Sequence, residues 1–237
     1  MTIEEAFSKL PVEKRQEIVS SPLKWSSAFL ITPNTGEPFT PNYVESLILG
    51  SAHRFTVIRV HRRAGKTFAL SILALYYALT RINIEVLVIC PDGSKVATIF
   101  DRIREFIVAN SWIHPLKHED RQNLPQKISF TNGSKIMGFT TAAKSKGEAQ
   151  GVLSQGADII LIDEAALLGE GDWTAINPIM TGDMYRRNKT RVFVASTPRG
   201  TRGRYYEMCK HPRFKKAGWH EIFVPISQNP SISADFY

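Results

Sequence analysis

The chain has 237 residues, a formal net charge of +8 and a hydrophobic fraction of 43%. This length allows one α/β domain with an appendage, or two small domains, around a substantial core. No apolar run reaches the roughly 20 residues of a membrane helix, and the charged N-terminal segment does not resemble a secretion signal. The composition therefore predicts a soluble, intracellular protein that does not associate with membranes.

In chain order, the N-terminal part is predicted to be helical, and the remainder alternates strands with helices. Residues 2–20 predict one amphipathic helix, and residues 42–51 predict a short second one. The later predicted elements are a strand at 55–60, a buried helix at 66–80, a strand at 85–90, a helix at 94–110 with Ser94 as its N-cap, a hairpin at 127–139 around Asn132-Gly133, and strands at 157–163, 191–196 and 220–226.

This alternation predicts an α/β fold with a mainly parallel sheet covered by helices on both faces. In such sheets, ligands bind at the edge where the strands have their carboxyl ends. The three polar motifs described next each follow directly after a predicted strand, so we expect them to meet at that edge.

The first motif is the segment HRRAGKT, residues 61–67, between a strand and a helix. It resembles the phosphate-binding loop G-x-x-x-x-G-K-[ST], with Val60 at the position of the first glycine. The residues predicted to contact ATP are Arg62, Arg63, Ala64, Gly65, Lys66, Thr67 and Phe68. In such loops the backbone N–H groups and the lysine bind phosphate oxygens, and the hydroxyl at the position of Thr67 binds Mg²⁺.

The second motif is IILIDEAA, residues 159–166, in which an apolar strand ends in Asp163 and Glu164. A carboxylate in the position of Asp163 holds Mg²⁺, and Glu164 can deprotonate an attacking water. The alternative is that the two acids only cap the next helix.

The third motif is VASTPRG, residues 194–200, where Ser196, Thr197 and Pro198 follow a strand. Hydroxyl groups there could detect a γ-phosphate, although an ordinary Ser-Thr-Pro turn fits the same letters. Hydrolysis also requires positive charge near the γ-phosphoryl oxygens, and either Arg62 or Arg63 could supply it from within the loop.

Taken together, HRRAGKT, VLVICPDGSKVATIF, NGSKIMGF, IILIDEAALL and VASTPRGTRGRYYEM resemble the large terminase subunit of tailed bacteriophages, from about residue 40 to residue 237. The resemblance implies an ASCE-type, RecA-like P-loop NTPase fold and a motor that uses ATP and Mg²⁺ to move double-stranded DNA into a procapsid. It assigns Lys66 and Thr67 to Walker A, Asp163 and Glu164 to Walker B, and Ser196 to Pro198 to the coupling motif. It also favours Arg62 over Arg63 as the arginine that acts within the subunit.

The same resemblance implies an organisation and a set of partners. We expect a helical N-terminal segment at 1–40, an ATPase core at 41–207, and a small subdomain or linker at 208–237 that leads towards a nuclease domain. The expected partners are the portal, the small terminase subunit and neighbouring copies in a ring, in the cytoplasm of an infected bacterial host. We expect no DNA cleavage by this chain, because no acidic cluster follows the ATPase motifs.

Several assignments remain open. Tyr43 and Glu45 are candidates for the adenine site, although the glutamine usual in the family is missing, and Gln150-Gly151 replaces an Arg-Gly pair. Arg199, Arg202 and Arg204 could face DNA, a partner subunit or the nuclease. The candidates for an arginine acting on a neighbouring subunit are Arg102, Arg104 and Arg121.

Two other functions compete with a packaging ATPase. A helicase shares the Walker B acids and a similar third motif, although the chain has no room for a second RecA-like domain. A DNA-binding module with a degenerate phosphate loop would not hydrolyse ATP, and the intact pair of acids disfavours it.

Overall fold

The computed structural model describes residues 9–141, 157–181 and 189–230. Within these ranges, the strands are β1 (Phe55–Val60), β2 (Glu85–Cys90), β3 (Lys117–Arg121), β4 (Gln126–Phe130), β5 (Lys135–Thr140), β6 (Ile159–Ile162), β7 (Arg191–Ser196) and β8 (Trp219–Val224). The α-helices are α1 (Val12–Val19), α2 (Pro22–Phe29), α3 (Tyr43–Leu49), α4 (Lys66–Thr80), α5 (Gly93–Ala109), α6 (Glu170–Thr181), α7 (Arg204–Lys210) and α8 (Pro212–Lys216).

These eight strands form one sheet in the order β3-β4-β5-β2-β6-β7-β1-β8. The pairs β5-β2, β2-β6, β6-β7, β7-β1 and β1-β8 are parallel. The pairs β3-β4 and β4-β5 are antiparallel. The α/β fold with a mainly parallel sheet, predicted from the alternation of elements, is therefore confirmed. Strand β3 was not predicted, because its residues, KHEDR, are polar, as is common for a strand at the edge of a sheet.

The sheet has a hydrophobic core on each face. Successive strand residues point to opposite faces, so that Ile58 packs with α4 and α5 while its neighbour Val57 packs with α6 and α7. Eleven residues of α4 are buried. Strands β2 and β6, at the centre of the sheet, are apolar from Val86 to Cys90 and from Ile159 to Ile162, as is typical of parallel strands covered on both faces.

Two helix predictions are wrong in part. The cap of α5 is Asp92, whose side chain accepts a hydrogen bond from the Lys95 N–H at 3.1 Å, and Ser94 lies inside the helix instead. The single helix predicted at 2–20 does not run through Pro11, which precedes α1 as its N-cap. Proline is tolerated at a helix start but has no N–H for a hydrogen bond within a helix, and residues 1–8 lie outside the described ranges.

The N-terminal segment packs against the rest of the molecule. Trp25 and Leu30 belong to the same buried cluster as α4. The Asn110 side chain, at the end of α5, accepts from the Ile31 N–H at 2.7 Å and donates to the Ile31 carbonyl at 3.1 Å. At the other end of the chain, β8 is hydrogen-bonded to β1 within the same sheet. The division into 1–40, 41–207 and 208–237 stays a prediction.

No helix in the described part of the chain is long and apolar enough to cross a membrane.

Candidate functional site

The sheet topology brings the three predicted motifs together. The strand β7 lies between β1 and β6, and all three are parallel. Residues that directly follow these strands, His61, Asp163 and Thr197, therefore emerge at the same edge of the sheet. This is the edge at which parallel α/β sheets bind ligands.

The loop after β1 has a backbone that favours glycine at its last position. Gly65 has φ +90°, a conformation that side chains rarely adopt, and a Cβ there would collide with the side chain of Glu45. Arg63 also has a positive φ, of 60°. The loop thus turns tightly into α4, whose first N–H groups have no acceptor within the helix.

The Lys66 amine is buried at this turn. Its Nζ donates to the His61 carbonyl at 2.9 Å and to Thr197 Oγ1 at 3.1 Å, which joins the first motif to the third. Burial lowers the pKa of Lys66, and the charge of Arg62 lowers it further, whereas Asp163 and Glu164 raise it. The amine is therefore held by neutral acceptors beside two carboxylates.

Thr67 and Asp163 are in direct contact. The Thr67 hydroxyl donates to Asp163 Oδ2 at 2.7 Å, across 96 positions of sequence. Burial raises the pKa of the Asp163 carboxyl, and its hydrogen bonds from Thr67 and from the Glu164 N–H lower it. A hydroxyl beside a carboxylate is an oxygen donor set that suits Mg²⁺. Among the described residues there is no cluster of three or more acidic, histidine or cysteine side chains that could hold a metal ion.

Glu164 has an unusual backbone conformation at the tip of β6. Its φ is +52°, and its N–H donates to Asp163 Oδ1 at 2.9 Å. Non-glycine residues with positive φ are uncommon. They persist only where the surrounding structure holds them in place, and they are frequent at functional sites. This turn sends the Glu164 side chain into the cavity described below, while Asp163 stays buried.

The third motif is held by hydrogen bonds to neighbouring elements. Ser196 is fully buried, and its hydroxyl oxygen accepts from the Ala166 N–H at 3.2 Å, which links β7 to the turn after Glu164. The Tyr205 hydroxyl lies 2.7 Å from the Ile58 carbonyl and 3.1 Å from the Ser196 carbonyl. The start of α7 is therefore attached to both β1 and β7.

An open cavity of about 580 Å³ lies over these motifs. Its lining includes Arg62, Arg63, Ala64, Gly65, Lys66, Thr67 and Phe68 from the loop and α4, Glu164 and Leu167 after β6, Thr197 and Arg199 after β7, and Lys95, Thr98 and Arg102 from α5. Arg62 and Arg63 are both exposed, and neither forms a salt bridge with another described residue. Six cationic side chains thus surround the cavity, against one carboxylate in its lining.

Helix α5 forms one wall of the cavity, which was not predicted from the sequence. Lys95, Thr98 and Arg102 follow one another at the spacing of one helix face, and α5 begins at the same edge of the sheet as the loop. That spacing, after a strand expected in the parallel sheet, was a signal that could have identified them.

The candidate arginines occupy different environments. Arg102 lines the cavity of its own chain, whereas Arg104 is held by Asp101, Asp120 and Gln126, and Arg121 donates to the Pro125 carbonyl.

The arginines that follow the third motif lie around a second, smaller cavity, which is lined by Arg199, Arg202 and Arg204 together with Arg59. Arg199 lines both cavities.

Tyr43 and Glu45, the candidates for an adenine site, do not line the large cavity. Tyr43 is 45% exposed. Glu45 is buried and forms a reciprocal cap with Asn42 at the start of α3, and burial raises the pKa of its carboxyl. Their role towards adenine stays a prediction, and Gln150-Gly151 lies outside the described residues.

Comparisons with known proteins define the class of fold. The sequence matches no protein-family model and no curated protein. The structure is similar to the ATPase domain of the large terminase from Thermus phage P74-26, with a TM-score of 0.59 and 20% identity over 84% of this chain and 73% of that one. It is also similar to the large terminase of bacteriophage HK97, with a TM-score of 0.69 and 12% identity over 92% of this chain and 48% of that one.

A third similar structure is a large terminase from a thermophilic bacteriophage in complex with ADP, with a TM-score of 0.61 and 11% identity over 82% of this chain and 48% of that one. The chain thus has the P-loop NTPase fold. More particularly, it has the fold of phage large terminase ATPase domains, and the resemblance found in the sequence is confirmed at the level of fold. The chain spans about half the length of the latter two terminases.

Proposed function

We propose that this chain is the ATPase portion of a DNA-packaging motor, which hydrolyses ATP with Mg²⁺ to translocate double-stranded DNA into a procapsid. The observation that carries the proposal is the convergence of Lys66, the Thr67–Asp163 pair and Glu164 at one edge of the sheet, inside a cationic cavity. The similarity of the fold to terminase ATPase domains, and the binding of ADP by one of these proteins, support the same proposal.

Each residue has a role that follows from its position. Backbone N–H groups from Ala64 to Thr67 and the Lys66 amine would bind phosphate oxygens. Thr67 and Asp163 would hold Mg²⁺, which when bound supplies positive charge that offsets the charge of the phosphates. The cationic surroundings favour binding of the negatively charged triphosphate. Because the acceptors that hold the Lys66 amine are neutral, the amine can exchange them for a phosphate oxygen, which is a stronger acceptor.

The proposed base is Glu164, which unlike Asp163 reaches the cavity and can accept a proton from water. Arg62, in the same lining and without an acidic partner among the described residues, would stabilise negative charge on the γ-phosphoryl oxygens. Since Arg63 shares both properties, the choice of Arg62 rests on the family resemblance.

The coupling proposal rests on the contacts of the third motif. Thr197 touches Lys66, and Ser196 is connected to the turn after Glu164 and to Tyr205 at the start of α7. A displacement at the phosphate end of the cavity would therefore be passed to the segment with Arg199, Arg202 and Arg204. We propose that this basic segment faces DNA or a neighbouring copy in a ring on the portal, with the small terminase subunit as a further partner, in the cytoplasm of the infected bacterium.

The decisive experiment is Glu164→Gln, with Glu170→Gln as a matched control because Glu170 is exposed at the start of α6. ATP binding by Glu164→Gln is expected to stay within about threefold of the unaltered chain, while turnover falls by at least about 100-fold, the effect of losing a general base. Near-normal turnover would remove Glu164 as the base. If the unaltered chain neither binds nor hydrolyses ATP with Mg²⁺, the ATPase proposal is wrong, and strand-displacement activity would favour a helicase.

A further inference from the structure

His61, the first residue of the phosphate loop, is adjacent to the segment that follows β8. Strands β1 and β8 pair in parallel register to their last residues, with Val60 opposite Val224. Both segments therefore leave the sheet side by side at the edge that carries the cavity. Pro225 follows β8, and the short helical turn Ile226–Gln228 brings Asn229 back over the loop, where its side chain is buried.

The His61 ring is held from both of its nitrogens. Nδ1 lies 2.6 Å from the Arg62 carbonyl oxygen, and Nε2 lies 2.8 Å from Asn229 Nδ2. A carbonyl oxygen can only accept, so Nδ1 carries the proton and donates. Nε2 consequently has a free lone pair and accepts from the Asn229 amide. The two contacts agree on one neutral tautomer of the ring.

The backbone of the same histidine contacts the lysine of the loop. The His61 carbonyl accepts from Lys66 Nζ at 2.9 Å. One residue therefore connects three groups: the Lys66 amine through its carbonyl, the Arg62 carbonyl through Nδ1, and Asn229 through Nε2. Moving the ring would move both the acceptor of Lys66 and the backbone that carries Arg62.

We propose that Asn229 is a positioning residue for the phosphate loop, which fixes the His61 ring and thereby places the Lys66 amine and the Arg62 backbone for the triphosphate. The inference rests on the proposed ATPase function. It assigns to the segment after β8 a part in nucleotide binding, although this segment lies 163 positions along the chain from Lys66 and contains no phosphate-binding motif. A change in the position of this segment would alter the affinity of the loop for nucleotide.

The experiment measures the affinity for a fluorescent ATP analogue with Mg²⁺, separately from turnover, in the whole chain. Asn229→Ala and His61→Phe each remove the contact, whereas His61→Gln keeps an acceptor oxygen close to the position of Nε2. Gln228→Ala is the matched control, because Gln228 is exposed on the same turn and, among the described residues, only its backbone N–H is hydrogen-bonded.

Asn229→Ala and His61→Phe are each expected to weaken binding by about threefold to tenfold, the range of one net hydrogen bond. The double variant should be no weaker than the weaker single variant, because both changes remove the same contact. His61→Gln should recover most of the affinity, and Gln228→Ala should bind as the unaltered chain does.

Three outcomes would overturn the inference: unchanged binding by Asn229→Ala, additive losses in the double variant, or a loss with Gln228→Ala equal to that with Asn229→Ala. Circular dichroism and the midpoint of urea unfolding identify a variant that fails to fold, and the His61→Phe and His61→Gln pair then decides the question. If the unaltered chain binds no ATP, the proposed function fails. If it binds ATP and the variants bind equally well, only the role of Asn229 fails.

Discussion

The three arginines that the sequence could not rank as donors to a neighbouring subunit differ sharply in the structure, and this difference can be measured. Arg102 lines the large cavity, its side chain is 41% exposed, and its only salt bridge among the described residues is with Glu105 at 2.7 Å. We expect Arg102→Ala to weaken ATP binding by the isolated chain. Arg121, which donates to the Pro125 carbonyl away from the cavity, is the matched control.

The expected size of the effect follows from this environment. A hydrogen bond to a charged group contributes about 1.5–3 kcal/mol, but exposure to solvent and competition with Glu105 reduce it to about 1 kcal/mol. Arg102→Ala should therefore bind ATP roughly fivefold more weakly than the unaltered chain. Arg121→Ala should bind it equally well.

Arg104→Ala tests a different property. Its side chain is 17% exposed and pairs with Asp101 and Asp120 at 3.0 Å. Among the described residues, removal of Arg104 leaves the half-buried Asp120 with only the longer contact to Lys117. We therefore expect a loss of about 2 kcal/mol in the free energy of unfolding, measured with urea, and little change in nucleotide affinity.

The assay is equilibrium titration with ATP and Mg²⁺ at protein concentrations low enough to keep the chain monomeric. Equal binding by Arg102→Ala and the unaltered chain would show that Arg102 does not contact nucleotide within its own subunit. If turnover then fell only at concentrations that support assembly, Arg102 would act on a neighbouring copy. A loss of binding in Arg121→Ala equal to that in Arg102→Ala would refute the placement of the cavity.

Two further predictions concern stability. Glu45→Gln keeps an acceptor for the Asn42 N–H and removes a charge whose burial raises the carboxyl pKa. In the unaltered chain the folded state holds the Glu45 proton more tightly than the unfolded state does, so the contribution of Glu45 to stability is lost as pH rises above the unfolded pKa of about 4.3. Glu45→Gln should therefore gain in urea stability relative to the unaltered chain between about pH 4.5 and 7.5. A difference that stays constant over this range would contradict the prediction. Asn110→Ala removes the partner of both backbone groups of Ile31, and it should lower the free energy of unfolding by about 2–3 kcal/mol, whereas a change below about 0.5 kcal/mol would show that water replaces the contact.

Much of the fold could be read from local patterns. The apolar run of residues 66–80 predicted the bounds of α4, because a helix that is buried on nearly all sides is apolar along its whole length. Continuous apolar strands predicted the parallel sheet, and Asn132-Gly133 marked the hairpin between β4 and β5. The polar strand β3 gave no such signal, because a strand at the edge of a sheet can be largely exposed and needs no apolar pattern, and its edge position is set only when the sheet assembles.

The candidate site divides in the same way. The sequence alone predicted Lys66, Thr67, Asp163 and Glu164 as site residues, because phosphate and metal chemistry restricts such positions to a few residue types. Contacts between distant segments were decided by the tertiary structure. It placed Thr67 against Asp163 and Lys66 against Thr197.

The residue without an explanation in the sequence was His61, which matches no chemical requirement of a phosphate loop. Its partner, Asn229, follows β8, and the two meet only because β1 and β8 end in register at the same edge of the sheet. The sequence by itself therefore determined the residue types of the proposed phosphate and metal site and the alternation that builds the sheet. The tertiary structure decided which of the remaining polar residues face the cavity, because strand order and register bring together segments that no spacing along the chain relates.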